Sequence, residues 1–256
     1  MMSKVGKTGS TANTRKVRTL EAQAHYGRIR EQASRVGFSE YVECDMSDVA
    51  IGRVAEAHPK GFLCTMINVP WYIQEDPWLQ TPTTVSHRRV TVAELRAAVG
   101  PHLRTISQNT FVAIWVDKTY LAEVILWMEE ESYLFVENYQ WTRLSLVPGQ
   151  AITPGRCLQR RKEILILFRS PSRDVRIELR HQRVPDVTSN LIPPNYPANR
   201  DTKPLSAIEM VETMLPCGEA ATPQFLYLWA PRGFERPGWV TVADNRGIAD
   251  HAEPLA

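Results

Sequence analysis

The chain has 256 residues and a mass of 29.1 kDa, enough for one large domain with appendages. With 43% hydrophobic and 23% charged residues it has the composition of a globular protein, which excludes chain-wide disorder, and no run of eighteen apolar residues offers a membrane span. A net charge of only +2 means that any polyanion must be met by local clusters rather than by the bulk field.

Residues up to about Thr14 are rich in Ser, Thr, Gly and Lys, and Lys4, Lys7, Arg15, Lys16 and Arg18 precede the first acid, Glu21. Residues 1–18 therefore read as a basic flexible tail, without the apolar core of a secretory signal. Leu20–Val36 carries a weak amphipathic pattern, so 19–60 is expected to be an N-terminal helix and lead-in. Apolar runs rich in β-branched and aromatic residues then recur at Phe62–Asn68, Thr110–Val116, Tyr133–Thr142, Glu163–Arg169, Gln224–Ala230 and Trp239–Asp244. Most are apolar at nearly every position, the pattern of strands buried on both faces.

Helical patterns lie between them. Thr91 and Glu94 form a capping box opening a helix to Val99, with Gly100-Pro101 as its stop. Thr119–Glu130 puts Leu121, Val124, Ile125 and Met128 on one face. A third helix starts near Pro204, a residue suited to a first turn, and buries Ile208, Val211 and Met214/Leu215. Trp115, Trp127 and Trp141 sit in apolar runs and are expected in the core. The alternation predicts an α/β fold, a mostly parallel sheet covered by helices on both faces. Segment 170–203, with five prolines, reads as a long loop. Cys44, Cys64, Cys157 and Cys217 form no C-x-x-C pair, so neither a zinc site nor a disulfide framework is expected, and a reducing compartment is.

Two features carry chemistry. The first is Asn68-Val69-Pro70-Trp71 at the end of the strand through Ile67. A polar residue at the carboxyl end of a strand in an open α/β sheet faces the ligand crevice. There the Asn68 oxygen and a following backbone carbonyl can accept both protons of an exocyclic amine, while Trp71 stacks on the ring. The second is basic: from Arg156 to Arg183, nine Arg or Lys residues face only Glu163, Asp174 and Glu178, a local charge of +6. Arg156, Arg160, Arg161, Lys162, Arg169 and Arg173 are the candidate phosphate contacts. Trp78, between Pro77 and Pro82, is a further candidate for base contact.

From Phe62 to Asn245 the chain resembles the MT-A-seventy family of adenine-N6 methyltransferases. Asn68-Val69-Pro70-Trp71 is similar to the family's [Asp/Asn/Ser]-Pro-Pro-aromatic motif, and the F-V-A-I-W-V strand of 111–116 to its F-L-W-V strand. Tyr139–Thr142, Lys203-Pro204, Phe225–Ala230 and the R-P-G-W-V-T run of 236–241 follow in the family's order. The Q-R-R-K-E block of 159–163 is closest to the non-catalytic partner subunit of the mRNA methyltransferase heterodimer. The resemblance implies a circularly permuted Rossmann-like domain over 61–247, followed by a tail over 248–256. S-adenosylmethionine would be the donor, with Lys162, Trp229 and Asn245 in donor-contacting positions.

Departures qualify what the resemblance implies. Val69 replaces a proline, Tyr227 stands where active members hold the ribose with Glu, and Pro231, Gly233 and Phe234 replace the Arg and His-Asn that follow. Loss of one charge-assisted ribose acceptor costs roughly 2–3 kcal/mol. A degenerate, non-catalytic subunit is therefore expected, binding no donor. It would pair as a heterodimer with an active methyltransferase paralogue, hold RNA or DNA, and reside in the nucleus with that complex. The alternative is a divergent active N6-adenine methyltransferase that uses S-adenosylmethionine and acts through Asn68-Val69-Pro70-Trp71.

Overall fold

A computed structural model describes residues 39–72, 89–107, 110–145, 162–170, 185–192, 203–215 and 222–245. Its centre is an eight-stranded sheet. In chain order the strands are β1 (Glu40–Cys44), β2 (Cys64–Ile67), β3 (Phe111–Val116), β4 (Leu134–Ser145), β5 (Lys162–Arg169), β6 (Val187–Ile192), β7 (Phe225–Leu228) and β8 (Trp239–Asp244). Their order across the sheet is β1-β8-β7-β2-β3-β5-β4-β6. The five strands from β1 to β3 are mutually parallel, β5 runs antiparallel to both β3 and β4, and β6 is parallel to β4.

The six strands expected from apolar runs all form, and the sheet adds two more. β1 pairs with β8 from Glu40↔Val240 to Cys44↔Asp244, so the sheet begins upstream of residue 61. β6 lies inside the segment expected to be a loop, and pairs Gln140–Ser145 of β4. Among the described residues no helix is long and apolar enough to cross a membrane.

Strand alternation sorts the core into two layers. Ile67, Val112, Ile114, Leu226, Leu228, Val240 and Val242 pack on one side against α1 (Asp48–Ala57), α2 (Val92–Val99), α3 (Leu103–Ile106) and α4 (Leu121–Glu130). Cys64, Met66, Ala113, Trp115, Leu165, Leu167, Phe225, Tyr227 and Trp239 pack on the other side with α5 (Leu205–Met214). The helical cover is lopsided: among the described residues four α-helices lie on one core layer and one on the other. Trp115, Trp127 and Trp141 are buried, as their apolar surroundings predict.

Local chemistry places the helix ends. Thr91 Oγ1 accepts from the Glu94 N–H at 3.3 Å and Glu94 accepts from the Thr91 N–H at 2.8 Å, completing the capping box of α2. The α-helix ends at Val99, where Gly100-Pro101 was expected to end it, although the chain does not leave the helical path there. Gly100 is itself helical (φ −52°), and the chain continues through a 3₁₀ turn (Gly100–His102) into α3. Pro101 stands in the first turn of that 3₁₀ segment, where its missing N–H costs nothing. α4 begins at Leu121, because Asp117 first closes a turn onto the Thr119 N–H at 2.9 Å. Pro204 caps α5 from an extended conformation rather than joining its first turn.

The R-P-G-W run fastens α5 to the sheet. Glu212, buried on α5, accepts from Arg236 Nε at 2.5 Å and from its second guanidinium nitrogen at 2.6 Å, and from Trp239 Nε1 at 2.9 Å. The hydrogen bonds from Arg236 to Glu212 push the Arg236 pKa above its ordinary value, against the opposing effect of burial. Gly238 takes φ 86°, which a side chain would disfavour, so that Trp239 can enter β8 and stack on Phe225 at 4.8 Å. Glu212→Ala removes the acceptor from a half-buried guanidinium and a buried indole. It should cost about 3 kcal/mol and lower the thermal midpoint by roughly 6–12 °C in a melting experiment.

Candidate functional site

The chain leaves β2 toward β3 on one side and leaves β7 toward β8 on the other, although β2 and β7 are neighbours. Their carboxyl ends therefore flank a topological switch point, the place where open α/β sheets bind ligands. Asn68 stands there. Its backbone N–H donates to Leu228 O at 3.0 Å, extending the ladder by one residue, and its side-chain Nδ2 donates to Trp229 O at 3.3 Å. The residue is only 3% exposed.

Trp229 is left-handed, with φ 54°. For a bulky residue this costs roughly 1–2 kcal/mol, and it turns the strand-end carbonyl out of the ladder to where Asn68 reaches it. The Trp229 side chain is 5% exposed and packs in the α1–α4 layer.

The rest of the motif folds back on itself. Val69 O accepts the Trp71 N–H and Pro70 O accepts the Val90 N–H, each at 2.9 Å. Either carbonyl that could serve as the one expected to accept an amine proton thus already holds one hydrogen bond. Trp71 is 8% exposed, donates Nε1 to Trp115 O at 2.7 Å, and stacks on Tyr120 with ring centroids 5.1 Å apart. One of its faces is therefore taken by protein. Tyr120 also donates its hydroxyl to Tyr72 O. Burial, then the carboxylates of Asp117 and Glu123, raise the Tyr120 pKa, so this donor stays protonated near neutral pH.

The loop after β7 is fastened down. The Ala230 N–H donates to Val242 O at 3.0 Å, and Arg232 donates to Asp244 O at 3.3 and 3.2 Å. The Gly233 N–H donates to the Tyr41 hydroxyl at 2.9 Å, and Tyr41 donates to Glu43 at 2.6 Å. Beneath the loop, Tyr227 is 1% exposed and meets Phe234 and Trp239 edge-on at 5.8 and 6.2 Å. The position expected to hold a ribose is thus a core aromatic. The Asn245 N–H donates to Cys44 O at 2.8 Å, while its side chain is exposed at the same edge.

Lys162 and Arg169 are separated. Lys162 opens β5 beside the carboxyl end of β3, whereas Arg169 closes it opposite Phe111, at the far end of an eight-residue strand, about 23 Å away. Only Lys162 shares the edge with Asn68, Trp229 and Asn245. Glu163 turns inward and accepts from Lys203 Nζ at 2.5 Å, with Arg143 at 3.5 Å. Lys203 also sits 5.6 Å from the Trp115 ring centroid. Arg156, Arg160, Arg161, Arg173 and Trp78 lie outside the described residues.

The site includes residues not anticipated from sequence: Tyr41, Tyr120 and the Trp229 carbonyl. Tyr120 had a sequence signal, as an aromatic four residues past Val116, the end of an apolar strand. A hydroxyl meeting an amide 192 residues away had none. Compared with known proteins, the chain matches no family model and no curated protein sequence.

Asn68→Asp would set a carboxylate oxygen against the Trp229 carbonyl, two acceptors facing each other in a buried site. Urea denaturation at neutral pH should show a loss of about 1–3 kcal/mol. Burial raises the folded-state pKa of the introduced carboxyl, so the deficit shrinks as pH falls through that value, where the protonated acid can donate to the carbonyl, and grows as pH rises.

Proposed function

We propose that this chain is a degenerate, non-catalytic subunit of a methyltransferase type. It supports an active paralogue and helps hold RNA or DNA, with no S-adenosylmethionine of its own. The strand order supports the methyltransferase half of this reading. Counted from β7, the strands β7, β8 and β1 run outward on one side, and β2 and β3 on the other, which is the doubly wound 3-2-1-4-5 order started at a different point in the chain. A circular permutation of a Rossmann-like domain has this form, and it sets Asn68 and Trp229 on the two sides of the crevice.

The observation that carries the non-catalytic half is the latched loop after β7. A donor lying over the carboxyl end of β7 needs free backbone amides and an acidic ribose acceptor. Here the Gly233 amide is taken by Tyr41, Arg232 is turned onto Asp244 O, and the acceptor position holds the buried Tyr227. Opening the loop would break three sets of hydrogen bonds and uncover aromatic surface, a cost set against any donor affinity. The basic segment that includes Arg156, Arg160, Arg161 and Lys162 supports the nucleic-acid half, since phosphate binding scales with local Lys and Arg.

Calorimetry of the purified chain with S-adenosylmethionine should give no binding tighter than about 1 mM; micromolar affinity would overturn the reading and favour the divergent enzyme. Replacing Arg160 and Arg161 with Glu should weaken oligonucleotide binding and flatten the dependence of log affinity on log salt by roughly one unit for each phosphate no longer neutralised. An unchanged slope would show that the cluster is only solvated surface.

A further inference from the structure

Trp71 is the aromatic that sequence chemistry assigns to base stacking, but its ring is committed inside the molecule. Tyr120 covers one face, Trp115 O holds the indole N–H, and 8% of the residue is exposed. The next residue is differently placed. Tyr72 is 48% exposed, the most open aromatic at this end of β2 among the described residues. Its backbone is held from both sides: the N–H donates to Val90 O at 2.9 Å, and the carbonyl accepts the Tyr120 hydroxyl. Tyr120 is thus a single clamp with two effects, burying Trp71 and presenting Tyr72.

With the backbone pinned, only two side-chain torsions of Tyr72 remain free. An aromatic held this way forfeits little entropy when it meets a planar ligand. Two cations share its neighbourhood in the fold. Lys118 is exposed in the β3–α4 connection, two residues before the Tyr120 that holds Tyr72, and Lys162 is exposed where β5 starts beside the end of β3. An exposed, anchored ring with lysines along the same sheet edge is the arrangement used for single strands. Bases stack on the ring irrespective of sequence, and the lysines meet phosphates.

We infer that Tyr72 is the base-stacking platform for single-stranded nucleic acid, with Lys118 and Lys162 as phosphate contacts and Trp71 as its buried support. This rests on the nucleic-acid half of the function proposed above and names the residues that touch the strand.

The test is fluorescence anisotropy of the full chain with a labelled mixed-sequence single-stranded RNA, the matching DNA strand, and their duplexes, over a salt series. Tyr72→Ala should weaken single-strand binding about tenfold or more without changing the salt slope, because stacking releases no counterions. Tyr72→Phe and Tyr72→Trp should retain binding. Lys118→Ala should lower the slope by roughly one unit. Comparison of the RNA and DNA arms identifies which single strand is held. If the wild-type chain binds single strands and Tyr72→Ala binds equally well, the stacking assignment is wrong while the proposed function stands. If the wild-type chain binds duplexes but neither single strand, the stacking assignment is wrong while the proposed function stands; if it binds no nucleic acid in either form, both are wrong.

Discussion

The ladder between β2 and β7 is the joint on which everything else in this molecule depends. Chain running outward to β3 and chain running outward to β8 meet there, four residues against four, from Cys64↔Phe225 to Ile67↔Leu228. Asn68 locks its open end twice, by backbone to Leu228 O and by side chain to Trp229 O. The second bond is directional and buried, so it holds Trp229 in a conformation that its side chain would otherwise avoid. At a residue whose oxygen was expected to meet a ligand, the side-chain nitrogen holds the protein's own backbone.

From that joint the similarities and departures in the sequence sort into two physical classes. Residues on which the sequence resemblance rests perform packing and fastening. Arg236 and Trp239 clamp Glu212, Lys203 satisfies Glu163 over Trp115, and Trp141 donates to Asn190 at 2.9 Å. Residues that depart from it, Val69, Tyr227, Pro231 and Phe234, lie at the ends of β2 and β7 and in the connections that follow, with Val69 and Tyr227 buried there. A packed scaffold around these strand ends fits the supporting role proposed above, in which stability and surface shape matter and no donor is held. The Tyr41–Gly233 bond adds an edge strand, β1, to the set of elements that close the loop after β7.

Much of the fold was legible because it rests on burial. β2, β3 and β7 are buried at every position, and they read as continuous apolar runs. β1 was not legible. Its E-Y-V-E-C sequence lies at the sheet edge, half exposed, with two glutamates breaking any apolar run. β6 failed for a similar reason: V-T-S-N-L-I is polar and is held by one neighbour, β4. Within the site, Asn68 was legible from its place at a strand end, but its partner was a backbone carbonyl, which has no sequence sign. Arg169 and Lys162 looked like one cluster because sequence distance hides the reach of an extended strand. Trp71 looked like a platform because composition says nothing about which face of a ring is already covered.

The most direct test is nuclear magnetic resonance of the Asn68 side-chain amide in nitrogen-15-labelled protein, its cross-peak assigned by its disappearance in Asn68→Ala. Its protons should exchange slowly with water, and the peak should stay in place when S-adenosylmethionine is added to millimolar concentration. Rapid exchange together with a saturable shift on addition of the donor would contradict the account, since the amide would then be free and the crevice open.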